Sequence, residues 1–194
     1  MEKRLLITGF DAFGGSDENP SWLAVAQLPE KIGSFTLKKS ILPTVYGKAA
    51  QVVLDIASDF APDVILCVGV AAGRDAVTPE RIAVNIRDAR IADNEGNQPA
   101  GDPVAADGPA AYFATVPVVA MAQAIRDAHI PGAVSNTAGT FVCNDTLYSL
   151  LHHFAGASTR VGFIHVPALP QQHQVSLPLA DTVTALIAAI TACE

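Results

Sequence analysis

The sequence predicts a single three-layer α/β/α domain, residues 1–194, built around a twisted and mostly parallel (mixed) sheet. Three observations predict it. At 194 residues the chain is the size of one compact domain. Half of it is apolar and 16% is charged, enough for a large core without disulfides or structural metal. Short apolar, β-branched runs alternate with segments of helical periodicity, the pattern of strands covered on both faces by one-faced helices.

Taken in order, the runs at residues 5–9, 36–42, 64–70, 133–136 and 161–165 predict strands. Between them, Ala49, Val52, Val53 and Ile56 repeat at i, i+3, i+4 and i+7 and predict a helix. Val118, Met121, Ala122 and Ile125 mark a second, and Leu147, Leu150, Leu151 and Phe154 a third. Leu179, Val183, Leu186, Ile187 and Ile190 mark a fourth. Residues 88–109 break the alternation, being rich in Asp, Asn, Gly and Pro. Such a stretch is either a functional or interface loop or a surface excursion.

Charge and cysteine usage exclude several classes of function. The net charge is −7, and no Lys/Arg run offsets it, so a nucleic-acid partner is not expected. No apolar run approaches the ~18 residues of a membrane span, and the one near the start is too short for a signal peptide. Cys67, Cys143 and Cys193 form no C-x-x-C pair and no metal-ligand spacing, which fits free thiols in a reducing, cytoplasmic setting.

Open α/β sheets place their sites beyond the carboxyl ends of the strands. The residues with chemical potential gather there: the segments at 9–15, 69–80 and 136–143, and His165-Val166-Pro167. Cys143 falls in or near the first turn of the third helix, where unpaired N–H groups stabilise a thiolate or hold an oxyanion. It also precedes Leu147 by four residues, the position of an inert core cysteine. Cys67, inside a strand, and Cys193, near the C-terminus, read as structural.

A thiol nucleophile needs a base. His165 closes a predicted strand and can project into a cleft or be a hydrogen-bonded core histidine. His152 and His153 lie late on the third helix, His129 follows the second, and His173 sits in a polar loop. Glu80, between two apolar segments, is the natural group to orient an imidazole; the alternative is a salt bridge to Arg81 or Arg87. Gly9-Phe10-Asp11-Ala12-Phe13-Gly14-Gly15 follows the first strand but lacks both phosphate-loop spacings. Its two phenylalanines are either a wall for a flat neutral ligand or loop residues folded onto the core.

These residues also carry a resemblance that covers nearly the whole chain. The blocks are Leu6-Ile7-Thr8-Gly9-Phe10 through Asn19-Pro20; Leu42-Pro43-Thr44-Val45; Thr78-Pro79-Glu80-Arg81; Asp88-Ala89-Arg90-Ile91; Ser135-Asn136-Thr137 through Cys143-Asn144; and Gly162-Phe163-Ile164-His165-Val166-Pro167. In that order they resemble the pyroglutamyl peptidase I (pyrrolidone-carboxylate peptidase) family of cysteine peptidases. The resemblance implies a phosphorylase/hydrolase-like fold and a Glu80–Cys143–His165 triad that cleaves an N-terminal pyroglutamyl residue from peptides, without cofactor or metal. It implies a ring pocket of Phe10, Phe13, Ile91, Phe141 and Val142 with Asn19 nearby, and an oxyanion site from the Cys143 N–H with Arg90. It also implies a homodimer or homotetramer.

Two segments depart from the family pattern: Val70 stands where many members have Gln, and Ala168-Leu169-Pro170-Gln171 where they have Tyr-Leu-Pro-Glu. The departures leave open a cysteine amidase for another small N-acyl group. A non-catalytic small-molecule binder on the same fold is the other alternative.

Overall fold

Six strands form the main sheet in the computed structural model, which describes residues 2–172 and 175–194. The chain runs β1 (Lys3–Phe10), α1 (Pro20–Gln27), β2 (Lys31–Ile32), β3 (Phe35–Leu42), α2 (Lys48–Phe60) and β4 (Val64–Val70). The short β5 (Thr78–Pro79), β6 (Ile82–Val84), β7 (Arg87–Asp88), β8 (Ala100–Asp102) and β9 (Ala111–Phe113) follow. Next come α3 (Val118–Asp127), α4 (Val142–His153), β10 (Arg160–Val166) and α5 (Leu179–Thr191). The sheet order is β2-β3-β1-β4-β10-β5, with β3, β1, β4 and β10 mutually parallel and β2 and β5 antiparallel at the edges.

The two-residue period of the strands divides the core in two. Leu5, Ile7, Leu66, Val68, Ile164 and Val166 pack beneath α1, α3 and α5. Leu6, Ile65, Cys67, Val161 and Phe163 pack beneath α2 and α4. That division makes three layers, and it explains why the central strand β4 is apolar along both faces. All four helices predicted from periodicity are present.

The fifth helix, α1, carries no legible period because it is only eight residues long. Its start is chemical instead: Asn19 is the N-cap, its side chain accepting from the Ser21 N–H at 3.0 Å, and Pro20 opens the helix. Its approach to β1 admits no side chain at Gly9, where a Cβ would stand 2.6 Å from the Trp22 backbone.

Two expectations need correction. Residues 133–136 form no strand; Gly132 and Ser135 make isolated parallel bridges to Val77 and Glu80. The ladder is interrupted at Pro79, which has no N–H to donate, so the bonds skip from Ala133 N to Val77 O at 3.2 Å to Ser135 N to Pro79 O at 3.0 Å.

Residues 88–109 are not bare loop. β7 pairs with β8, and the buried Asp93 accepts from the N–H groups of Tyr46, Glu95 and Asn97. Burial works to raise the Asp93 pKa, but these bonds and the Asn97 amide outweigh it and hold it below its ordinary value. Asp11 ties this turn to the loop after β1. Its Oδ1 accepts from Thr44 N and Oγ1 and from Asn94 Nδ2, which also donates to Ala12 O.

Candidate active site

Strand register places the first two groups. His165 on β10 is the parallel partner of Gly69 on β4, so both face the α2/α4 side of the sheet. Gly69 has no side chain, and the Cys143 thiol takes up that space: a Cβ there would be 2.9 Å from Cys143 Sγ and 2.9 Å from Phe163 Cζ. Cys143 is the second residue of α4, whose N-cap, Phe141, makes no side-chain capping bond. The first N–H groups of the helix are thus directed at the end of the sheet where the thiol lies.

The acid arrives from the sheet edge. β5 pairs antiparallel with β10, aligning Thr78 with His165, and Glu80 follows two residues later. Its fully buried Oε1 lies 2.7 Å from His165 Nδ1. Glu80 pairs with neither Arg81, which binds Asn136, nor Arg87, which binds Asp145. Its cationic partner is Arg74, whose Nη1 donates to the same Oε1 at 2.6 Å. Arg74 lay outside the sequence expectations because nothing local marks it; its partners lie in two segments, at 78–80 and at 137.

Burial tends to raise the Glu80 pKa, but the hydrogen bond and charge of His165, helped by the Arg74 hydrogen bond, outweigh it and keep the carboxyl low. Glu80 is therefore an acceptor, Nδ1 carries the imidazole proton, and Nε2 is left free as a base. Burial lowers the His165 pKa, with Arg74 adding to it and Glu80 opposing. Burial likewise pushes the Cys143 thiol up to about 12, reinforced by Glu80 and Cys67 against Arg74 and its own backbone N–H. Both shifts favour a neutral thiol beside a neutral imidazole, against the thiolate that helix position alone favours. No hydrogen bond joins Cys143 to His165 among the described residues.

Beside Cys143 opens a cavity of about 280 Å³, at the carboxyl ends of the parallel strands. Phe10, Phe13, Asn19 and Phe141 line it, as do Val70 and Ala168, two of the departures from the family pattern. Phe10 is also core, at 2% exposure. Phe13 packs on Phe141 with centroids 5.1 Å apart, and Tyr46 meets Phe141 edge-on at 5.4 Å.

Three residues expected to meet the substrate do not line this cavity. Val142 turns into the core beneath α4, since one step along a helix rotates a side chain by about 100°. Arg90 and Ile91 are exposed outside the lining, on a loop that bonds to Thr140 O through Asp88 N and to Pro99 O through Ala89 N. Thr44, Ser16 and Gln172 line the cavity without having been singled out.

The other candidates lie apart. Cys67 and Cys193 are buried free thiols, pushed by burial to about 12 and about 11. His152 is bonded to Tyr112 at 2.9 Å, and His173 lies outside the described residues. Among the described residues no group of three His, Cys, Asp or Glu is arranged to hold a metal ion, and no helix is long and apolar enough to cross a membrane.

A three-layer α/β protein that gathers a thiol, an imidazole and a buried carboxylate beside an apolar cavity has the residue set of a cysteine hydrolase. A family model described as pyroglutamyl peptidase matches residues 3–194, and the chain belongs to that family. The pyrrolidone-carboxylate peptidase of Levilactobacillus brevis is 50% identical, over 97% of this chain and 96% of its own. That of Escherichia fergusonii is 51% identical, over 88% and 80%. Among solved structures, Bacillus amyloliquefaciens pyroglutamyl peptidase I superposes with a TM-score of 0.96 at 44% identity, covering 100% of this chain and 96% of that one. Thermococcus litoralis pyrrolidone carboxyl peptidase gives 0.94 at 35% identity, covering 98% and 93%.

Proposed function

We propose that this chain is a cysteine peptidase that removes an N-terminal pyroglutamyl residue from peptides, with Cys143 as nucleophile, His165 as base and Glu80 as its orienting acid. The observation that carries the reading is the buried Glu80–His165 bond on the sheet face where Cys143 Sγ sits over Gly69. His165 Nε2 takes the thiol proton as Sγ attacks the pyroglutamyl carbonyl. Negative charge on the carbonyl oxygen is received by the N–H groups that open α4. The imidazolium then protonates the leaving amine, and a thioester remains. Water, deprotonated by His165, displaces the thiolate and releases pyroglutamate.

The cavity chemistry agrees with this substrate. A pyroglutamyl ring is a neutral lactam, suited to apolar walls such as Phe13 and Phe141. An N-terminal glutamate would bring an ammonium and a carboxylate into the same space unpaired, at a desolvation penalty.

The test is hydrolysis of a pyroglutamyl fluorogenic amide by the reduced protein and by Cys143→Ser. No turnover by the reduced protein would overturn the reading; turnover surviving in Cys143→Ser would overturn only the nucleophile. A second reading, a cysteine amidase for another small N-acyl group, is favoured by Val70 and Ala168 both lining the cavity. A panel of N-acyl amides separates the two. The same proposal includes a cytoplasmic location, supported by three unpaired cysteines. It also includes a homodimer or homotetramer, to be read by sedimentation.

A further inference from the structure

Arg74 stands in the turn beyond β4, and its guanidinium reaches three groups in two segments at once. Nη1 donates to Thr78 Oγ1 at 2.6 Å and to Glu80 Oε1 at 2.6 Å, and Nη2 donates to Thr137 O at 2.9 Å. Thr78 is the register partner of His165, Glu80 holds the imidazole, and Thr137 lies in the loop that leads into α4 and Cys143. One side chain therefore joins the edge segment that flanks the base and carries the acid to the loop that approaches the nucleophile.

The division of labour at Glu80 is uneven. Oε1 accepts from both Arg74 and His165, while Oε2 is buried without a hydrogen-bond partner. A carboxylate free to rotate would offer one oxygen to each donor. Thr78 and Thr137 instead hold the guanidinium where its Nη1 meets the oxygen that also faces Nδ1.

We propose that Arg74 is a positioning residue for the catalytic couple, fixing which Glu80 oxygen meets His165 and tying that acid to the loop that delivers Cys143. The proposal rests on the peptidase reading above. Arg74 has two separable effects. Its planar fork sets geometry, which a lysine ammonium cannot reproduce at three acceptors. Its charge opposes the imidazolium that forms when His165 accepts a proton. The charged or titratable groups acting on the couple are Glu80 after β5, Arg74 after β4, Cys67 on β4 and Cys143 on α4, with the Phe163 ring beside His165 on β10.

The experiment compares wild type, Arg74→Met and Arg74→Lys on a pyroglutamyl amide from about pH 5 to 9, a range that brackets the ordinary histidine value. It is paired with an NMR titration of the His165 imidazole, which needs no turnover. Arg74→Met should lower kcat about tenfold or more with KM little changed, because Arg74 does not line the cavity. It should also move the acid limb and the His165 titration to higher pH, since a positive neighbour has been removed. Arg74→Lys should leave both pH readouts near wild type and recover only part of kcat.

A merely structural role would lower stability without moving either titration. An unmoved His165 titration in folded Arg74→Met, or wild-type kcat in Arg74→Lys, overturns the proposal. If Arg74→Met does not fold, the Arg74→Lys arm decides. Absence of turnover in wild type overturns the peptidase reading, and the titration still decides the part played by Arg74.

Discussion

Glu80 and His165 meet through a 2.7 Å hydrogen bond in which the carboxylate is wholly buried and the imidazole nearly so. A carboxylate that deep in an α/β core is retained ionised only by the partners that face it. Removing its charge should therefore act on catalysis before binding. Glu80→Gln is expected to lower kcat on a pyroglutamyl amide by roughly 10²-fold or more, because an amide also accommodates the wrong imidazole tautomer. KM should hardly change. Steady-state kinetics on the folded variant provide the check, and a kcat within threefold of wild type, about 0.7 kcal/mol, would remove Glu80 from the site.

Protonation gives a second prediction. Burial keeps His165 below its ordinary value of 6.5, so the acid limb of kcat/KM should fall below that pH. Cys143, pushed up to about 12, should alkylate with iodoacetamide at a rate that climbs through pH 9 without a plateau. A plateau from about pH 6 upward would instead mean a resting thiolate–imidazolium pair. For stability, both folded-state values lie below the unfolded ones, 6.5 for His165 and 4.5 for Glu80. Each contribution is present above its unfolded value and is lost as pH falls through the lower folded one. Tm should accordingly decline from about pH 6.5 downward and more steeply below about 4.5, which thermal melts across that range will show.

Gly69→Ala tests the space that the thiol occupies. The added methyl would meet both Cys143 Sγ and the Phe163 ring at 2.9 Å. Overpacking of this kind costs about 1–3 kcal/mol, and displacing a nucleophile by an ångström can cost ~10²-fold in rate. Activity should thus fall further than stability explains. Wild-type kcat in Gly69→Ala would show that the thiol does not need this position.

The ion pair behind the nucleophile is a matter of folding. Asp145, two residues after Cys143 and fully buried, accepts from Arg87 Nε at 2.6 Å and from Gly47 N at 2.8 Å. Asp145→Ala strips Arg87 and the Gly47 N–H of their acceptor together. A loss of about 3 kcal/mol is expected, read as a lower urea midpoint at unchanged slope.

Much of the fold was legible because burial writes a period into sequence. Strands covered on both faces and the longer helices declare themselves by apolar spacing. The failures occur where spacing has no room to repeat, in the eight-residue α1 and the bridged residues 133–136. The site was legible in a different way. Composition left Cys143, His165 and Glu80 each with an inert alternative, and the ordered family motifs selected them together. Arg74 escaped both routes because its significance is wholly tertiary. Val142 and Ile91 show what a motif leaves unsaid: it gives proximity but not direction, and one side chain is buried while the other is exposed.

The bonds that join Asp11 to Thr44 and Asn94 make the polar loop and the aromatic wall a single mechanical part. An engineer who grafts a new 88–109 segment to alter this protein will also shift the peptide that carries Phe13. The two stretches, far apart in the chain, should be transplanted as a pair.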